Sequence, residues 1–495
     1  MAATEGREWA VEIQTEAAAG GSDWAADIQR EADKVSSTAE SELWEKHSIY
    51  RVPGCIKQLN PQAYTPQVVS FGPYHHGSEP LTAMEPHKLR SVERILRRSK
   101  KHFHLFVAAV REVQQCLMDA YERLDKFWIE NPDAFLKMMI IDGCFMLEVL
   151  RMATGSPTRA FAAEQAVAAE QAVAAEHLSK DPIFSPHGML YTVPYIKRDM
   201  LMLENQLPLL VLHILVSVQG GKVPKEQINN LVHKFFAQKE NLSMKELGLH
   251  PLDVCRMGLL KNPEEKSGGG KAAGGGQKRA GDGDKKADGV VEMVWSATKL
   301  NDAGVRFRGS GCRSLRNIQF RGGFLRGGVL ILPEVVVDDL MEPMFRNLMA
   351  MERLHVGAGN EVTSYVFFMD RIIDSARDVE LLQNCRIIQN AIGSDKAVAQ
   401  LFNSLSKDVS LDPNGGLNEV HNQVSTYCQR RWNVWRANLM QTYFRSPWAF
   451  LSLAAAVFLL VLTVAQTIFT ILQWHQGLAT DAQSPSAASV APSSN

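Results

Sequence analysis

The sequence predicts a mainly α-helical protein: a helical globular body with a few short strands, followed by one C-terminal transmembrane helix. Three observations predict it. Apolar residues recur at helical spacing through most of the 495 residues. The few extended runs are short and bounded by Gly or Pro. No charged residue appears between Arg445 and His475. Composition fits a globular chain, with 45% hydrophobic and 22% charged residues, and excludes a wholly disordered or fibrous one. Lys+Arg is 53 and Asp+Glu is 54, so no global field draws the protein onto nucleic acid. No basic stripe with interleaved aromatics appears either, and a nucleic-acid partner is not expected.

The N-terminus has no apolar leader, and Glu5, Glu8, Glu12 and Glu16 argue against a transit peptide. Residues 1–45 hold a short duplication: Trp9, Ile13 and Gln14 recur as Trp24, Ile28 and Gln29. Trp at i and Ile at i+4 share a helical face, so each copy reads as a short amphipathic docking helix. Residues 46–263 form the first half of the body. Prolines at 53, 61, 66, 73, 80 and 86 break any long helix, leaving extended pieces at Ser48–Pro53 and Gln67–Phe71. From about Met84 the pattern turns helical, with Glu85 and Lys88 spaced i, i+3. Asn131-Pro132-Asp133 marks a helix start. Phe135–Ala153 is apolar almost all round and reads as a central buried helix.

An AAEQAV repeat within 160–178 reads as an inserted helical spacer. Residues 189–218 form a second core-like block whose apolar run is too short to span a bilayer. Residues 264–289 are a Gly/Lys-rich flexible linker, without the spacing of a phosphate loop. The second half of the body, 290–445, reads as a helix ended at Gly304 and a strand. A hairpin or strand at Gly327–Asp339 follows, then helical periods over Asp339–Ala376 and Ala397–Ser406. Asn418–Tyr443 reads as a long amphipathic helix with Val420, Val424, Tyr427, Val434 and Trp435 on one side.

The transmembrane helix is placed at 446–474. About 20 apolar residues cross the hydrocarbon core, and Trp448 and Trp474 stand where interfacial anchors would stand. Ser452, Thr463, Thr467 and Thr470 are tolerable because hydroxyls bond back to the helix backbone. Arg430, Arg431, Arg436 and Arg445 precede the span, and no Lys or Arg follows it. The positive-inside rule therefore puts the bulk of the chain in the cytosol and the Ser/Ala/Pro-rich tail, 475–495, across the bilayer. A span this near the end implies tail-anchored insertion into the plasma membrane or an endomembrane. Seven scattered cysteines, odd in number and without a C-x-x-C pair, read as reduced thiols.

Chemistry is sparse. Asp142, Glu148, Asp199 and Glu204 lie within apolar helical stretches and are the candidate catalytic carboxylates. Buried carboxylates are costly unless paired, and Lys88, Arg151, Lys197 and Arg198 are available partners. Two of them facing one cleft could act as acid and base. A polar network that fixes helix register is the preferred reading. His75 and His76 are candidate metal ligands, but neighbours on an extended piece point to opposite faces, and the preferred role is fixing a turn. No nucleophile elbow or dinucleotide fingerprint is present, and no cofactor is expected.

The motifs resemble those of the plant domain-of-unknown-function 247 family. They are IYRVP (Ile49–Pro53), AYTPQVVSFGPYHHG (Ala63–Gly77), MEPHK (Met84–Lys88) and IIDGCFMLEVL (Ile140–Leu150). DMLMLENQLPLLVL (Asp199–Leu212), HPLDVCR (His250–Arg256), SATKLNDAGVRF (Ser296–Phe307), NLMAMER (Asn347–Arg353) and SYVFFMDRIIDSARDVELL (Ser364–Leu382) continue in order. Tyr443–Phe469 closes the set. The resemblance implies a largely helical protein with one C-terminal transmembrane segment and no established enzymatic activity. Grass members linked to pollen self-incompatibility imply membrane-associated recognition. The sequence thus points to a membrane-anchored recognition or signalling protein with a lipid bilayer and a protein as partners. A membrane-bound hydrolase using the buried carboxylates is the alternative.

Overall fold

Proline at the first helical position and glycine just past the last bound the longest helix of the body. The computed structural model describes residues 24, 26–30, 44–155, 180–237, 242–261, 296–323, 327–407, 416–430 and 447–481. The first half contributes α1 (Glu85–Ser99), α2 (Phe103–Arg111), α3 (Lys126–Glu130) and α4 (Pro132–Thr154). It continues with α5 (Val193–Asp199), α6 (Leu209–Gly220) and α7 (Lys225–Ala237). Pro132 opens α4, and Gly155 closes it in the left-handed conformation, φ 55°. From Phe135 to Leu150 every residue of α4 except Lys137 is buried. Helices α1, α2, α6 and α7 pack around it. Phe106, Phe135, Phe145, Leu212 and Phe235 belong to the resulting core. Burying each such side chain stabilises by about 1.5–3 kcal/mol relative to exposure.

The second half holds α8 (Pro251–Leu260), α9 (Ala297–Asp302), α10 (Met341–Leu354), α11 (Glu361–Ile372), α12 (Ala376–Asn384), α13 (Asp395–Leu405) and α14 (Gly416–Gln429). Strands β1 (Val305–Gly309), β2 (Gln319–Gly323) and β3 (Gly327–Leu332) form one sheet in the order β1-β3-β2. β3 runs parallel to β1, with Val305 opposite Gly328, and antiparallel to β2, with Gln319 opposite Ile331. β4 (Val335–Val337) pairs in parallel with β5 (Ile388–Asn390). Of the two expectations for Gly327–Asp339, the strand is found as β3, and the hairpin is corrected: β3 and β4 lie in different sheets. The expected extended piece Gln67–Phe71 joins no sheet, because side chains take its backbone donors. Ser48–Pro53 is extended, with a single bridge between Ile49 and Tyr121.

This half buries its own core, with Phe307, Phe345, Tyr365 and Phe402 among its members. Tyr50, Val52, Ile56, Ala63 and Tyr64 belong to that second core although they precede α1. The segment before α1 thus laces the two cores together. His250 strengthens the seam: its Nε2 donates to the Ser48 carbonyl at 3.0 Å, and its Nδ1 accepts from the Asp253 amide. Burial holds its imidazole down at about 4, so it stays neutral with a fixed tautomer.

The last helix, α15 (Pro447–Asp481), contains Leu451–Trp474, 24 residues long and apolar enough to span a membrane. Thr463, Thr467 and Thr470 each donate to the carbonyl four residues back, at 2.8 Å. The apolar block of α5 and α6 bends by 108° at its break, and most of its apolar side chains are buried in the first core. Of the duplicated N-terminal segment only the second copy is described, as a short helix with Trp24 and Ile28 exposed. The AAEQAV repeat, the linker 264–289, Val434, Trp435 and residues 482–495 lie outside the described residues.

Candidate functional site

A buried polypeptide without sheet pairing must find partners for its amides, because an unpaired donor costs about 1–3 kcal/mol. Residues 66–72 do so through side chains. One carboxylate, Asp199 at the end of α5, accepts from the amides of Gln67, Val68 and Val69 at 2.7–3.1 Å. Asn205 accepts from the Phe71 amide at 2.7 Å and donates to the carbonyls of Val69 and Asp199. Asp142 on α4 accepts from the Gly72 amide at 2.9 Å. Gly72 has φ +71°, and a Cβ there would meet Gln206 O and Tyr121 Oη at 2.8 Å. Only glycine makes this turn against that wall.

The four candidate carboxylates occupy separate settings. Asp142 pairs with the fully buried Lys88, whose Nζ lies 2.7 Å from Oδ1, and Lys88 also reaches Glu85 Oε1 at 2.8 Å and Ser70 at 3.2 Å. Burial pulls the Lys88 ammonium down, but Asp142 and Glu85 outweigh it and hold it above the ordinary lysine value. Glu148, six residues along α4, is held by Arg98 and by Arg151, the latter at 2.8 Å. Burial pushes the Asp199 carboxyl up, with its three amide donors offsetting part of the rise. Glu204 accepts from the Val52 amide at 2.6 Å and from Lys57 at 2.7 Å, with His75 Nε2 at 3.4 Å. Burial pushes Glu204 up, yet His75, Lys57 and the Val52 amide outweigh it and hold it below the ordinary value.

His75 and His76 face different partners: Glu204 for the first, the Trp128 ring at 5.3 Å for the second. Among the described residues no three His, Cys, Asp or Glu side chains are grouped to hold a metal ion. Lys88 and Arg151 meet carboxylates, as their charge and position anticipate. Lys197 and Arg198 instead bond the carbonyls of Phe236 and Gln62. Sequence reasoning missed Lys57, Asn205, Gln206 and Asn347. Gln206 donates to Met200 O and Met202 O and accepts from the Leu252 amide. Asn347 joins Leu203 to Ala63. The available signal was the polar triplet Glu204-Asn205-Gln206 inside an apolar run, since buried polar groups are almost always bonded.

Beside this network a half-open cavity of about 360 Å³ lies between α1, α3 and α4. Leu89, Met138 and Trp128 are among its wall residues, Glu85 and Asp142 supply its carboxylates, and His76 and Lys137 also line it. Three of the motif segments, PYHHG, MEPHK and IIDGC, converge there. The four candidate carboxylates do not share it; of them only Asp142 lines it.

Fold and network define a helical two-core body, laced by a side-chain-braced segment and carrying one C-terminal helix of membrane-spanning length. The chain belongs to the DUF247 family, described as plant protein of unknown function, whose model matches residues 49–462. A UPF0481 protein of Arabidopsis thaliana is 30% identical over 454 residues, covering 88% of each chain. A putative UPF0481 protein of the same plant is 23% identical over 505 residues, covering 85% of this chain and 89% of its own. No solved structure matches.

Proposed function

We propose that this is a single-pass, tail-anchored membrane protein whose cytosolic body recognises a partner and carries out no turnover. One observation carries the membrane placement. Leu451–Trp474 has a mean hydropathy of 2.3, and none of its most apolar stretch is buried against the body. Phe458, Leu460 and Phe469 each leave more than three-fifths of their surface open. Apolar surface favours transfer to an apolar phase by about 25 cal/mol per Å², and hydrocarbon of membrane thickness accepts the whole helix. The bonds of Thr463, Thr467 and Thr470 pair these three hydroxyls in that setting.

Recognition rather than hydrolysis is supported by how the carboxylates are used. Asp199 holds three amides, and Glu148 and Glu204 hold cations. A hydrolase built on Asp199 or Glu204 would first have to break the bonds that hold the Gln67, Val68, Val69 and Val52 amides. The test is alkaline carbonate extraction of vesicles carrying the full chain. The protein is expected to stay with the lipid. Val461→Arg, which costs about 2.5–3.5 kcal/mol at mid-span, is expected to release much of it. Recovery of the unaltered chain in the wash overturns the placement.

A further inference from the structure

We propose that the outer face of the three-stranded sheet docks on the anionic surface of the bilayer that α15 enters. The proposal rests on the single-pass membrane reading and adds the face by which the body lies against the lipid. Residues 303–333 contain six arginines, Arg306, Arg308, Arg313, Arg316, Arg321 and Arg326, and no Asp or Glu, in a chain whose net charge is -1. Strand alternation sorts these residues by face. The register sets Arg306, Val329 and Arg321 in one row across β1, β3 and β2, and Arg308, Ile331 and Gln319 in another. All three arginines of these rows are exposed. The alternate rows, Phe307 with Leu330 and Phe320, and Val305 with Gly328 and Gly322, face the other way, where Phe320 meets Tyr427 of α14 edge-on at 5.4 Å.

The face is built for charge and apolar contact, not for stacking. Arg306, Arg308 and Arg313 have no carboxylate partner among the described residues, and Arg321 donates to the neighbouring Gln319 Oε1 at 3.2 Å. Arg316 is spent on Glu361. Glu334, the next acid along the chain, lines a hollow with both Arg313 and Arg386, so it leaves the arginines of the sheet uncompensated. Guanidinium groups pair bidentately with phosphate oxygens, and each basic residue near an anionic leaflet strengthens attachment about fivefold. Val329 and Ile331, half-buried between the arginines, give the face an apolar middle. Phe307 and Phe320 are turned inward, so neither ring stands on this face for a nucleic-acid base to stack on. The tether favours lipid over a soluble acidic protein. α14, packed on β2, ends at Gln429, and α15 begins at Pro447. The 17 residues between them carry Arg430, Arg431, Arg436 and Arg445 without an Asp or Glu, and reach at most about 60 Å. Sheet and tether thus present one sign of charge within reach of one leaflet.

The test is modification by phenylglyoxal of the full chain reconstituted into vesicles, with the rate at each arginine read by mass spectrometry. Vesicles of phosphatidylcholine alone are compared with vesicles that also contain phosphatidylglycerol. Arg306, Arg308 and Arg321 are expected to react at least about fivefold more slowly on the charged vesicles, and to recover at about 1 M salt, where the screening length falls to about 3 Å. Arg123, exposed in the first half of the body, is the reference and is expected to keep its rate. Equal rates on the two kinds of vesicle, or equal slowing of Arg123, overturn the docking face. Protection by soluble polyglutamate but not by charged vesicles also overturns it, and assigns the face to an acidic protein. Release of the full chain by alkaline carbonate overturns the anchoring reading instead, and is read without any arginine chemistry.

Discussion

Glu204 is 4% exposed, and its carboxylate is nevertheless held below the ordinary value of 4.5 because Lys57, His75 and the Val52 amide favour the charged form over the cost of burial. A group whose folded value is depressed contributes stability that is complete above its unfolded value and disappears as pH falls through the folded one. The Glu204 contribution is thus present at neutral pH and lost below about pH 4.5. Asp142 and Asp199 run the other way. Burial raises both, so they favour the folded state when protonated and lose that contribution as pH rises from 3.8 through their folded values. Glu204→Gln is expected to lower the urea midpoint at pH 7, with the gap to the unaltered protein closing as pH falls below 4.5. A gap that stays constant as pH falls below 4.5 refutes the assignment. The sequence made part of this legible: the four carboxylates were visible as polar exceptions in apolar stretches, and Lys88 and Arg151 as their counter-charges. Lys57 and His75 were not, because they lie about 130–150 residues from Glu204 and no local period connects them.

At the scale of elements, α4 and α6 cross where α4 has no side chain. A Cβ at Gly143 would lie 2.7 Å from Val211 Cγ1 and 2.8 Å from Leu215 Cδ1, both in the core. Gly143→Ala gains about 1 kcal/mol of helix propensity, but forcing the helices apart costs about 1–3 kcal/mol. A net loss of about 1–2 kcal/mol is expected, read as a lower urea midpoint. Gly54→Ala, where nothing lies within 4 Å, serves as the control and is expected to leave the midpoint within about 0.5 kcal/mol. Equal stability of the Gly143 variant and the unaltered protein contradicts the close crossing. Helices such as α4 were legible because a 3.6-residue period and end signals are local. β5 was not: its three residues pair with Val335–Val337, more than 50 positions earlier. β2 escaped for a related reason. Its run, Gln319–Gly323, carries one apolar residue, and pairing with β3 rather than propensity makes it a strand.

For the whole molecule, the lacing of two cores by residues 48–64 and the exposed helix α15 place opposite demands on the two ends of the described chain. The body is folded around buried polar bonds that form in water, whereas α15 has no partner surface among the described residues. On the proposed tail-anchored reading, the body folds on the side where synthesis delivers it, and the helix inserts afterwards. On the same reading, flanking charge sets the expected sense of insertion. Arg430, Arg431, Arg436 and Arg445 stand within about 20 residues before the apolar stretch, and the 21 residues from His475 to Asn495 contain no Lys or Arg. Moving four guanidinium groups through hydrocarbon is far costlier than moving a short tail with a single acidic residue, Asp481. On sealed microsomes, protease added outside is expected to digest an N-terminal tag together with the body and to leave a small C-terminally tagged fragment intact. Permeabilising detergent is expected to remove that protection. A protected body with a digested C-terminal tag reverses the topology.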